Sequence, residues 1–93
     1  MIKPTIHLNG SSPDRLLDGY TNAVTALTDA LEALVHGAPN GRDYYPQGDD
    51  AFRQAAREHA SRVERLTSVL TELSEIGNHV SDEKDARDAR RNR

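Results

Sequence analysis

Apolar residues recur along this 93-residue chain in two long series of alternating three- and four-residue steps. The first runs through Leu17, Tyr20, Val24, Leu27, Leu31 and Leu34. The second runs through Phe52, Ala56, His59, Val63, Leu66, Leu70, Leu73, Gly77 and Val80. Such steps average close to one helical turn, so each series lies along one side of a helix as a heptad seam. Leu16, Ala23 and Ala30 widen the first seam, and Ala55, Val69 and Ile76 the second, with Arg62 on the same flank. Ser12-Pro13-Asp14 is a helix start, with Ser12 as cap, Pro13 at the first helical position and Asp14 on the positive end of the dipole. Gly37 stops that helix and Pro39 prevents its resumption. Asp49 or Asp50 caps the second helix, which Gly77-Asn78 ends or kinks.

Ahead of the helices, Ile2, Pro4, Ile6 and Leu8 alternate with polar residues, the period of a half-buried strand, and Asn9-Gly10 ends it as a turn. The pattern predicts a strand-like segment at 4–9, a helix at 12–36, a loop at 37–49 and a second helix at 50–80, all one domain over 1–80. Ile76 and Val80, where the second helix outruns the first, are expected to meet the N-terminal segment or another subunit. Residues 81–93 are charged without an apolar face and read as a frayed helix or disordered tail. The fold class is all-α: an antiparallel two-helix hairpin with a short N-terminal extended segment, assembling into a helical-bundle oligomer.

Composition supports the assembly. Only 35% of the residues are hydrophobic, and no cysteine is present to form a staple. A lone chain this small buries only about 60% of its unfolded surface, and association is the remaining route to stability. Met1-Ile2-Lys3-Pro4 lacks the apolar core of a signal peptide, and no run approaches the ~18 apolar residues that span a membrane. A non-membrane, intracellular protein is expected.

The net charge is -3, but five of the basic residues fall between Arg42 and Arg65, where five acids match them. No broad positive face fits duplex nucleic acid. The histidines at 7, 36, 59 and 79 are too scattered for a metal site, and His59 on the seam reads as a core or interface residue. His7 and His79 meet only if the N-terminal segment packs beside the end of the second helix. No phosphate-binding glycine loop, cysteine nucleophile or serine elbow is present, so no enzyme activity and no cofactor are expected.

Candidate chemistry concentrates in Ala38 to Asp50. Pro46 biases Tyr45 towards an extended backbone, so the rings of Tyr44 and Tyr45 point in different directions. An exposed tyrosine stacks on a base or anchors a protein interface, while a ring folded back seals the hairpin end. Arg42, Arg53 and Arg57 form a candidate anion grip, with Arg53 and Arg57 four apart on one helix face. The competing reading pairs them with Asp43, Asp49, Asp50 and Glu58. Asn40 and Gln47 supply polar edges, which completes a candidate ligand-binding set of Asn40, Arg42, Tyr44, Tyr45, Gln47, Arg53 and Arg57.

The series Ile6-His7-Leu8-Asn9-Gly10, the loop Pro39-Asn40-Gly41-Arg42-Asp43-Tyr44-Tyr45-Pro46-Gln47-Gly48, and Glu58-His59 with Arg62 resemble small proteins of tailed-phage and prophage genomes. The resemblance spans roughly residues 5 to 80 and implies a phage accessory protein in the host bacterial cytoplasm. It carries no catalytic residue with it. The expected function is non-enzymatic sequestration of a cyclic or NAD-derived nucleotide immune signal, in pockets made by the loops of neighbouring subunits. The alternative is a protein-interaction module that inhibits a host defence protein or serves phage assembly.

Overall fold

A computed structural model describes residues 1–91. Two helices, α1 (Pro13–His36) and α2 (Asp49–Arg91), run antiparallel, and two short 3-10 turns, Gly41–Asp43 and Tyr45–Gln47, join them. No strand is present among the described residues. The body is a rod of 69 × 21 × 20 Å.

The start of α1 follows from its sequence. Ser12 is extended at φ -63° and ψ 149°, and its Oγ accepts from the Arg15 N–H at 3.2 Å. Pro13 occupies the first turn, where its missing N–H costs nothing. At the other end, the Gly37 N–H donates to the carbonyls of Ala33 and Leu34. Gly37 has φ -92°, so it ends the helix without using the left-handed region. Gly48 does use that region, at φ +106°. It turns the chain into α2 immediately before Asp49. Asp49 and Asp50 are therefore the first helical residues rather than the cap, placed where their charges meet the helix dipole.

Two cross-helix relationships fix the register. A Cβ built on Gly77 would lie 3.5 Å from the Tyr20 Cβ, and Lys84 Nζ donates to Asp14 Oδ1 at 2.6 Å. Facing residues thus have numbers that sum to 97 or 98, and α1 lies against α2 from about residue 61 to 85. The first three turns of α2 extend beyond α1 and are clothed by the loop alone. Phe52 and His59 consequently face the loop, not α1.

The end of α2 departs from expectation. The helix passes through Gly77 and Asn78 without interruption and continues to Arg91. Residues 81–91 are not a frayed or disordered tail, and that expectation for 92–93 lies outside the described residues. The reason is the seam itself. Its four- and three-residue steps continue from Val80 to Lys84 and Arg87, charged residues that stay half-buried, and on to the exposed Arg91.

The N-terminal segment forms no strand. Pro4 and Ile6 are half-buried, while Leu8 is 88% exposed, so the alternation is only half realised. The segment lies instead along the end of α2, where the His79 Nε2–H donates to the Pro4 carbonyl at 2.9 Å. Beside it, Val80 is the one fully buried side chain among the described residues. The Gly10 N–H closes a turn onto the His7 carbonyl, and the His7 ring folds over Gly10.

Candidate functional site

The loop end of the rod is built from two successive 3-10 turns. Asn40 opens the first: its Oδ1 accepts from the Arg42 N–H at 2.9 Å and from Arg42 Nε at 3.4 Å. The N–H groups of Asp43 and Tyr44 donate to the carbonyls of Asn40 and Gly41, and those of Gln47 and Gly48 to Tyr44 and Tyr45. Successive bonded turns of this kind hold the connection in one shape.

That shape sends the two adjacent rings apart. Tyr44 turns in and lies 6.5 Å from the Phe52 ring at an interplanar angle of 45°, closing the open end of the hairpin. Tyr45 turns out and is 76% exposed. One ring is scaffold and the other is display.

The seven candidate residues do not enclose a common cavity. Tyr44 and Gln47 line a hollow of about 230 Å³ together with Ala51, Gln54, Ala55 and Glu58. Within it, the Gln54 amide donates to Glu58 at 3.1 Å, and Glu58 also faces Arg62 at 3.9 Å. A carboxylate in that hollow disfavours a phosphate there. Asn40 and Arg42 are engaged with each other at the knuckle of the loop. Arg53 pairs with Asp50 at 2.9 Å. Arg53 and Arg57 fall on the side of α2 turned away from its seam, because steps of three and four residues carry the seam past them. Neither reaches the hollow. Gln54 was missed from sequence, although its spacing of four from Glu58 is the signal that places the two together.

His59 lies deeper at the same end. Its Nε2 is buried and has no hydrogen-bond partner among the described residues, an arrangement that costs stability.

A larger concavity of about 340 Å³ sits at the opposite end of the rod, between the start of α1 and the last turns of α2. His7, Ser12, Asp14, Lys84, Arg87 and Asp88 are among the residues on its walls. The hydrogen bond from Lys84 to Asp14 and then the Asp14 charge raise the Lys84 pKa above its ordinary 10.5. Asp88 and Asp85 add to this and desolvation opposes it. Two acids and the cations facing them balance most of the charge in this corner, so it has the makings of a structural clasp. The continued heptad step after Val80 is the sequence signal for it.

No group of metal-ligating side chains occurs among the described residues. No helix is long and apolar enough to cross a membrane. Comparison with family models, curated proteins and solved structures gives no match.

Proposed function

We propose that the chain is a non-catalytic interaction protein: a hairpin that associates with further copies and offers its loop end, Ala38–Gly48, to a protein partner. The observation that carries this reading is the divergence of the candidate residues over the outside of the loop end. Tyr45 projects from a bonded turn, with the Arg42 guanidinium beside the same knuckle. A rigid exposed aromatic next to an arginine is the usual anchor of a protein interface. Self-association is supported by the near absence of fully buried side chains, since a two-helix layer of this size leaves both of its sides in water.

In the phage setting implied by the sequence resemblance, the partner is a host defence protein or a phage assembly component in the bacterial cytoplasm. Photo-crosslinking from position 45 in host extract tests this. One defined crosslinked protein, lost when Arg42→Ala is added, supports the reading. Crosslinks unaffected by Arg42→Ala would contradict it.

The nucleotide-sequestering reading rests on the exposure of Tyr45 at the same end as Arg42, Arg53 and Arg57. It requires neighbouring loops to complete a pocket, because one chain brings no arginine to the hollow. A thermal-shift series with cyclic di- and trinucleotides, cyclic ADP-ribose isomers and NAD discriminates. Saturation at a hundredfold over Kd adds about 2.7 kcal/mol, so a flat series removes this reading.

A further inference from the structure

The two sides of the hairpin differ in chemistry. One side carries Thr21, Thr25, Ser74, Asn78 and Ser81 around a shallow groove whose floor is Leu17, Tyr20, Val24 and Leu73, so hydroxyls and apolar groups share it. The other carries Leu16, Gly19 and Ala23 of α1 around an apolar groove of about 340 Å³ that reaches Leu73. Further along that second side, Leu34 and Leu66 lie beside Arg62 and Arg65. Val69, 43% exposed, belongs to the same flank of α2, as does Ile76 seven residues on. The second side is thus the more apolar of the two, and it is the one that a single further layer would cover.

We infer that a second copy of the chain covers this side, related by a two-fold axis perpendicular to the helices and passing near Val69, so that α2 lies antiparallel on α2 of its partner. This rests on the self-association proposed above and adds its face and direction. Charge selects the direction. On the loop side of Val69 this flank of α2 carries Glu58, Arg62 and Arg65, with Arg62 facing Glu58 at 3.9 Å, and beyond Val69 it carries Glu72, Glu83 and Arg87. Arg65 and Glu72 are the charges nearest Val69 on its two sides. An axis near Val69 brings Arg65 level with Glu72 of the partner subunit, twice by symmetry, and Val69 level with its own copy. The other two-fold choice puts both loops at one end and lays α2 on α1 of the partner. There α1 offers Leu16, Gly19, Ala23 and Ala30, with no acid for Arg65. A dimer with α2 on α2 places the two Tyr45 loops at opposite ends, so each recognises its partner independently.

The chain has no cysteine, so Gln47→Cys gives a single spin-label site in the loop. Inter-label distances from pulsed electron resonance then read the arrangement. At 1.5 Å per residue, labels 22 residues from the axis lie about 65 Å apart in the antiparallel dimer. The expected result is one population near that distance. The charge swap gives a second readout: Arg65→Glu weakens the dimer at least tenfold, and adding Glu72→Arg restores it. Labels within about 25 Å of each other overturn the inference while leaving self-association standing. Absence of any inter-label coupling, with the mass of one chain in solution, overturns both.

Discussion

The imidazole of His79 holds the carbonyl of Pro4 at 2.9 Å, across 75 residues of chain. This bond, together with the half-buried Pro4 and Ile6, ties the N-terminal segment to α2 without strand pairing. A half-buried bond of this kind contributes about 1 kcal/mol. His79→Ala should free the segment, read as a fall in heteronuclear NOE over Thr5–Leu8 with the helices unchanged. His79→Gln keeps an N–H donor and should lose less order. Equal order in wild type and His79→Ala would show that Pro4 and Ile6 hold the segment by packing alone.

Gly77 separates two effects of opposite sign. Its missing Cβ would sit in ordinary contact with Tyr20, so Gly77→Ala fits and gains helix propensity. The expected change is a stabilisation of about 0.5–1 kcal/mol in chemical denaturation. Gly77→Leu pushes α1 away from α2 and should destabilise by roughly 1–3 kcal/mol.

Tyr44 and Tyr45 should separate stability from recognition. Tyr44→Ala uncovers Phe52, itself 38% exposed already, and should cost roughly 1–2 kcal/mol. Tyr45→Ala should leave the melting temperature almost unchanged while abolishing crosslinking to the partner from a probe placed at position 47. The reverse assignment would overturn the division of scaffold and display.

The clasp between Lys84 and Asp14 carries a pH signature. Its folded-state pKa is raised, so its stabilising effect is complete below the ordinary value of 10.5 and fades as pH rises through the raised one. Wild type should lose stability between neutral pH and the alkaline limit more steeply than Lys84→Met does. Parallel alkaline profiles for the two proteins would show that the pair contributes nothing.

Both helices and the Ser12 cap were legible in the sequence because heptad spacing and end signals agree. The register was not, since a seam of repeated leucines slides by a heptad with little change in pattern. Gly77 against Tyr20 and Lys84 against Asp14 choose among the slides, and neither pair stands out before the helices are laid together. The continuation of α2 was hidden because Lys84, Arg87 and Arg91 look like a solvated charge run unless the steps are counted on from Val80. In the loop, the divergence of the rings was readable from Pro46. The pairing of Arg53 with Asp50 was also among the readings the sequence offered, whereas the engagement of Arg42 with Asn40 was not, because it depends on the 3-10 turn that Asn40 opens.

The proposed self-association of the hairpin is read by thermal unfolding, followed by helical circular dichroism over a hundredfold range of protein concentration. If association stabilises the fold, the midpoint rises with concentration. A midpoint independent of concentration, with a sedimenting mass of one chain throughout, would contradict it.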